Sequence, residues 1–217
     1  MKRILVVSAH PDDMEIGMGG SIAKFVAAGN SVTSIVLTDG RRGPNPASLP
    51  VDQFIETRRK EARDAAALLG LEKIVFADLS DLSSTENQSL AFQKLKAMCI
   101  DLTPDEIFVL HPEIDRHATH RTSGKITLEV TRHLNLAAAV WAYEVWGLFS
   151  QWDRFEDISS YVAPKLHAIN QHRSQIEAVP FGEGVLGLNR WRAVFADPSE
   201  KTVNTTFAEV FVRLKEI

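Results

Sequence analysis

The sequence predicts an α/β protein of three layers, with helices on both faces of a mostly parallel sheet. Three observations carry this. Strand-like and helix-like stretches alternate four times in the first 140 residues, the pattern of right-handed βαβ units. The strand-like runs, Ile4–Val7 above all, are continuously apolar rather than alternating, as strands buried on both faces are. Finally, 217 residues with 45 % hydrophobic side chains suffice to bury one full α/β core. The chain reads as a single unit over residues 1–217. Its regular core spans about 1–145, and a less regular C-terminal extension spans about 146–217.

Ile4–Val7 is the first strand. From about Glu15 to Ala28 the apolar spacing becomes helical, with Ile16, Ile22, Phe25 and Val26 facing the core, and Gly29-Asn30 ends it. "SVTSIVLTDG" is the second strand, stopping at Thr38-Asp39-Gly40, and "RRGPNPASLP" is a Gly/Pro loop. The second helix runs from about Asp52 to Leu69 and closes at Gly70. "KIVFADL" is the third strand. Ser84 or Thr85 caps a third helix over "ENQSLAFQKLKAMCIDL". "DEIFVLHP" is the fourth strand, "HATHRTSGKITLEVTRHL" the fourth helix and "AAAVWAYEVWG" a fifth strand. In the extension, "APKLHAINQHRSQIEAV" reads as one helix after Pro164, and "TFAEVFVRLKEI" is assigned to a helix rather than a strand.

Net charge is −4, with no basic patch to bind nucleic acid and no attraction to anionic membranes. The four-residue apolar run near the start is too short for a signal-peptide core, and no stretch approaches the roughly 20 apolar residues of a membrane span. Cys99 is the sole cysteine, so no intrachain disulfide forms, and its apolar setting reads as a small buried hydrophobe. A soluble, reducing, cytoplasmic setting is the default expectation. The number of subunits is left open, a homo-oligomer included.

The unusual residues fall at strand ends. Ligands of open parallel sheets bind beyond the carboxyl ends of the strands. His10, Asp12 and Asp13 follow the first strand, and Thr38, Asp39 and Gly40 the second. His111, Asp115, His117 and His120 follow the fourth. All three groups are expected to open onto one edge of the sheet. A lone His at a helix start is usually a solvated cap, and an Asp-Asp pair is usually a turn. Sequence-distant groups meeting at equivalent strand ends need another reason, and a cation is one. Two imidazoles and a carboxylate form a common catalytic zinc set with a vacant fourth position. His10, Asp13 and His120 are assigned as ligands of one divalent ion. Asp12 is then spare, placed to take a proton from metal-bound water, and His117 is spare to donate a hydrogen bond or a proton. The same donors fit non-haem iron, and such a centre can cleave other amides or esters or hold a ligand without turnover. Gly17-Met18-Gly19-Gly20 has the wrong spacing for a dinucleotide fingerprint, and the carboxylates before it repel a pyrophosphate. The glycines are expected to let the first helix pack close to the sheet. Tyr143-Glu144 follows the fifth strand and can face the site, as can His172 on the late helix.

"AHPDDMEIGMGG" resembles the A-H-P-D-D-x-E signature of the LmbE-like, or PIG-L-type, zinc-dependent N-acetylglucosaminyl deacetylases. "HPEIDRHATH" resembles that family's second motif, "TRRKEARDAAALLG" its Arg-x-x-Glu-Ala helix, and "HRSQ" a late helix motif. The resemblance covers Ile4 to about Gln175 and extends to "FAEVF". It implies a Rossmann-like fold and removal of an acetyl group from a small amino-sugar conjugate. It implies Zn2+ on His10, Asp13 and His120, and Asp12 as general base. His117 would stabilise the oxyanion or protonate the leaving amine. Arg58 would lie near the sugar, with Asp115, Tyr143 and His172 as further substrate-binding candidates. Two positions depart from the family pattern. Ala118 and Thr119 replace the proline and the acid usual before the last ligand, leaving Asp115 as the acid to hold His117. Arg41 stands where relatives commonly carry an acid.

Overall fold

A computed structural model describes residues 1–214. Seven strands form one sheet in the order β3-β2-β1-β4-β5-β7-β6. They are β1 (Arg3–Ser8), β2 (Ser31–Thr38), β3 (Lys73–Leu79), β4 (Glu106–Leu110), β5 (Ala139–Tyr143), β6 (Arg154–Asp157) and β7 (Ala208–Arg213). The first five are parallel, in register from Ile4↔Val32 on one side of β1 and Ile4↔Glu106 on the other. β7 runs antiparallel to β5, and β6 antiparallel to β7.

Helices α1 (Asp13–Ala27), α2 (Val51–Leu69), α3 (Thr85–Leu102) and α4 (Ala118–His133) supply the crossovers. Side chains of β1 alternate between two cores. Ile4 and Val6 join Met14, Ile22, Phe25 and Leu69 on the α1/α2 face, whereas Leu5 and Val7 join Leu95, Cys99, Ile126 and Val130 on the α3/α4 face. Each fully buried aliphatic side chain contributes about 1.5–3 kcal/mol, so a strand apolar on both faces is held at the centre of the sheet. Burial pushes the Cys99 thiol up to about 12, in keeping with an inert packing residue.

The glycines after the first motif do bring α1 close to the sheet. A Cβ on Gly17 would fall 2.3 Å from the Tyr143 ring and 2.6 Å from the Glu144 carbonyl oxygen. α1 breaks its helical geometry at Met18 (φ −146°, ψ 22°), which frees amides in the following turn. The Glu209 carboxylate accepts from Gly20 N–H at 3.1 Å and Ser21 N–H at 2.7 Å, and pairs with buried Lys165 at 2.6 Å.

The C-terminal extension corrects the sequence reading. "TFAEVFVRLKEI" contains strand β7, not a helix, and its Lys215–Ile217 end lies outside the described residues. Pairing between β5 and β6 decides this, and Glu209, which reads as a polar helical position, is a buried cap for α1. The single helix expected over 163–179 is two, α5 (Val162–Ile169) and α6 (Arg173–Ile176), and α7 (Phe181–Phe195) follows.

Candidate metal centre and its pocket

The chain crosses from β2 on one side of β1 to β4 on the other, so a crevice opens at their carboxyl ends. The turn from β1 into α1 is fixed locally: His10 N–H donates to Asp13 Oδ2 at 2.7 Å. Asp13 is the first residue of α1, where the helix dipole favours a carboxylate. On the opposite side, Asp115 organises the start of α4. Its Oδ1 accepts from the His117 N–H at 2.7 Å and its Oδ2 lies 3.0 Å from His120 Nδ1.

Three side chains therefore converge. His120 Nε2 lies 3.0 Å from His10 Nδ1 and 3.1 Å from Asp13 Oδ1, and His10 Nδ1 lies 3.6 Å from Asp13 Oδ2. His120 is fully buried and Asp13 is 2 % exposed. With Nδ1 hydrogen-bonded to Asp115, a neutral His120 turns its Nε2 lone pair onto the Asp13 carboxylate, itself an acceptor. That arrangement is stable only around a cation or a proton. The edges of a zinc tetrahedron with ~2.05 Å bonds are about 3.3 Å, close to these separations, so the residues present fit a divalent ion. Without one, burial pulls the His120 pKa down, but Asp13 and Asp115 outweigh it and push it up to about 10. Burial alone would raise Asp13, yet His120 and His10 hold it well below the usual carboxylate range. His117 belongs to the same group: one nitrogen each of His10, His117 and His120 lies within 4.8 Å of the others. A buried carboxylate needs compensating charge more than an exposed imidazole does, which favours Asp13 over His117 as the third donor beside His10 and His120.

Asp12 adjoins the centre with one oxygen engaged. Its Oδ2 accepts from buried Arg58 Nη2 at 2.9 Å; among the described residues no other side chain donates to it. Arg58 Nη1 donates to the Gly40 carbonyl at 2.9 Å. Gly40 has φ +72°, and a Cβ there would meet Arg58 Nη1 at 2.5 Å. Glycine is thus required for the guanidinium to reach both partners. Burial, then the neighbouring His10 and His120, lower the pKa of His117, so it is neutral at pH 7.

His10, Asp12, Asp13, Arg58 and His117 line a cavity of about 420 Å³ with Thr38, Arg41, Arg42, Trp146, Gln175 and Phe181. Not every expected residue reaches it. His111 turns back to accept from Glu113 and Ile114 N–H and does not join the other groups. Asp115 lies beneath the centre on His120, not on the His117 ring. Tyr143 is buried under α1 and donates to the Val7 carbonyl at 3.0 Å. His172 is buried 3.5 Å from Glu15, behind the wall. Asp39 is buried and holds Arg41 through Nε at 2.8 Å and Nη2 at 2.6 Å. Gln175, quoted within "HRSQ" but not assigned, does face the cavity. Val179 and Phe181 carry no sequence signal of a site, since only the path of the chain into α7 brings them to the crevice, and Trp146, one of four tryptophans in the second half of the chain, lines it as well.

A doubly covered, mostly parallel sheet with a His-Asp-His cluster and an adjacent carboxylate beyond its strand ends defines a Rossmann-like α/β class with its site at the crevice. More specifically, residues 5–131 match the PIG-L family, GlcNAc-PI de-N-acetylase, and the chain belongs to it. It is 25 % identical over 189 residues to the diacetylchitobiose deacetylase of Thermococcus kodakarensis, covering 81 % of this chain and 70 % of that protein. The solved N,N'-diacetylchitobiose deacetylase of Pyrococcus horikoshii superposes with a TM-score of 0.81 at 25 % identity, covering 98 % of this chain and 84 % of that one. The 4-carboxy-2-hydroxymuconate hydratase of Pseudomonas putida shares the fold, with a TM-score of 0.83 at 22 % identity over 99 % of this chain and 97 % of the other. No helix among the described residues is long and apolar enough to cross a membrane.

Proposed function

We propose that this chain is a zinc-dependent N-deacetylase that hydrolyses the acetamide of an N-acetylglucosamine-type conjugate, with His10, Asp13 and His120 as ligands. The observation that carries the reading is Asp12: a carboxylate at the centre with one oxygen locked by Arg58 and the other uncommitted in the cavity. A mere metal-holding pocket gives no reason to keep an unliganded acid there. Zinc, when bound, supplies Lewis acidity that acidifies water and polarises a carbonyl.

Asp12 takes a proton from the attacking water. Arg58 holds that carboxylate by a charged hydrogen bond and fixes its direction, so little reorganisation is needed at the moment of transfer. Neutral His117 offers one ring N–H to the carbonyl oxygen as charge develops there, which is electrostatic stabilisation rather than proton delivery. The C–N bond then breaks. The proton held on Asp12 passes to the leaving amine, and acetate and the free amino sugar result. Asp115 acts through His120 by holding its Nδ1, an outer-shell contact of the kind that fixes a ligand's tautomer and orientation.

The test is acetate release from methyl N-acetylglucosaminide, diacetylchitobiose, an acetylated peptide and a simple ester, before and after chelation and zinc re-addition. Amino-sugar turnover that is lost with chelator and restored by zinc is expected. Preference for the ester or peptide, or turnover indifferent to chelator, would overturn the proposal.

A further inference from the structure

Four tryptophans lie in the second half of the chain, and their ring faces are not equally occupied. Arg154 and Arg213 lie over Trp141 at 5.4 and 5.1 Å, and Arg192 lies over Trp152 and Trp191 at 5.0 and 5.1 Å. Among the described residues no guanidinium covers Trp146. Its ring neighbour is Phe181, 6.2 Å away and inclined at 72°, and a near-perpendicular ring covers one indole face at most. Trp146 is 39 % exposed and lines the reaction cavity.

An exposed side chain on a loop is ordinarily free to move, but this backbone is clamped. Trp146 N–H donates to Asp115 Oδ2 at 3.3 Å, the same oxygen that faces His120 Nδ1, and the Trp146 carbonyl accepts from Arg116 Nε at 3.0 Å. The next residue seals the contact: a Cβ on Gly147 would fall 2.6 Å from Asp115 Cα and 2.7 Å from the Ile114 carbonyl oxygen. Two hydrogen bonds and one imidazole ring therefore separate the Trp146 amide from His120 Nε2. Strand order divides the cavity walls. The loops after β2 and β3 supply Arg41, Arg42 and Asp81 on one side of the centre, and the loop after β5 supplies Trp146 on the other, beside Val179 and Phe181. One wall is charged and the opposite wall is aromatic.

We infer that Trp146 is a substrate-binding residue whose uncovered indole face packs against the C–H face of the amino-sugar ring. The inference rests on the deacetylase reading for the identity of that ring. A pyranose is two-sided in the same sense as the cavity, with hydroxyls around its rim and C–H bonds on its faces. An acetamide at His120 brings the ring alongside the residue that shares Asp115 with His120. The rim then meets the charged wall while one face lies on the indole. Because Asp115 and Arg116 hold the Trp146 backbone before substrate arrives, little ordering entropy opposes the contact.

The test separates binding from turnover. Methyl glucosaminide has the ring but no amide to hydrolyse, and its binding to the zinc-loaded protein is measured by calorimetry and by tryptophan emission. Emission should shift to the blue on binding, and the shift should vanish in Trp146→Phe but persist in Trp191→Phe. Trp146→Phe keeps a flat ring and should bind within about threefold of wild type, whereas Trp146→Leu should bind about five- to tenfold more weakly. Ethanolamine, which has the amine and a hydroxyl but no ring, should not distinguish the variants. In turnover, Trp146→Leu should raise KM for methyl N-acetylglucosaminide and leave kcat within about twofold, the sign of a contact made equally in the bound state and the transition state. Circular dichroism and zinc content check that each variant is folded and loaded. Emission unmoved by the ligand, or a Leu variant that binds as wild type does, overturns the inference. So does a Leu variant that weakens ethanolamine as much as the sugar, or that lowers kcat with KM unchanged, because the side chain would then be a support of the centre. Methyl N-acetylglucosaminide left unhydrolysed while Trp146 still reports methyl glucosaminide would remove the deacetylase reading and leave the stacking contact standing, so the two fail separately.

Discussion

Replacing Asp12 by Asn is the sharpest perturbation of the site, because it removes one charge and almost no volume. Oδ2 accepts from Arg58 Nη2 at 2.9 Å, and the two side chains are 10 % and 3 % exposed. The variant's amide oxygen can still accept that hydrogen bond, but the group can no longer take a proton. General-base catalysis is worth about 10²–10⁴ in rate. At 1.4 kcal/mol per decade this is about 3–6 kcal/mol of barrier. The stability cost is smaller. Removing one partner of a buried pair altogether costs about 3–5 kcal/mol. Keeping the hydrogen bond while losing the charge leaves about 1–2 kcal/mol. For a chain of this size, that is a Tm fall of about 2–8 °C. His10, Asp13 and His120 keep their contacts, so metal stoichiometry should not change. Acetate release by coupled assay, elemental analysis and a thermal melt measure the three quantities. A kcat within threefold of wild type would refute Asp12 as the base, and loss of the metal would show it to be a ligand instead.

The other expectations concern the supports of the site. Asp115→Asn should weaken metal affinity by about 10–100-fold with the fold retained, because the carboxylate that orients His120 is lost; competition with a chromogenic chelator measures it. In the metal-stripped protein His120, raised from 6.5 to about 10, contributes stability that is complete below about pH 6.5 and disappears as pH rises through about 10. Its Tm should fall across that window, whereas Asp13, held low, stays ionised throughout it and adds no slope. Zinc loading at pH 8 should release about one proton, read by calorimetry in buffers of different ionisation enthalpy. Gly17→Ala should lower Tm, since its Cβ meets the Tyr143 ring and a backbone oxygen and overpacking costs about 1–3 kcal/mol. Gly187→Ala, on α7 with nothing within 4 Å of its Cβ, should raise Tm through helix propensity worth up to about 1 kcal/mol.

The first five strands and four helices are legible because each carries its own local signal: a continuous apolar run, then a cap or a terminating glycine. The convergence of His10, Asp13 and His120 is legible for a related reason, since strand ends of a parallel sheet must lie along one edge. What escapes is whatever only tertiary pairing decides. β7 is a strand because β5 and β6 flank it, and its most polar member, Glu209, is buried by α1 amides and Lys165 rather than turned to solvent. On α2, "ETRRKEARD" reads as a solvated ion-paired face, and Arg59, Lys60 and Arg63 do pair on the surface with Glu56, Asp64 and Asp78. Arg58 alone turns inward, and nothing in helical spacing says that its partner lies 46 residues back. Asp115 is in the right place for the wrong neighbour: the i, i+5 reach to His120 wins over the ring of His117.

Fold likeness does not choose the reaction. A hydratase and a deacetylase superpose on this chain almost equally well, so the chemistry has to be argued from side chains. The floor of the cavity comes from positions pinned by secondary structure, at the ends of β1 and β4, and its donors leave few roles open. The walls come mainly from loops: residues 40–44 contribute Arg41 and Arg42, the loop after β5 contributes Trp146, and the chain entering α7 contributes Val179 and, at the helix start, Phe181. Loops tolerate change that the floor cannot. Arg41 follows this logic, because its guanidinium is braced on Asp39 at the rim, clear of the centre. Substitution there should therefore alter which conjugate is accepted, seen as a change in KM between methyl and disaccharide substrates, while Asp12 and His117 continue to set kcat. A change confined to kcat would place Arg41 with the floor and break the division of labour.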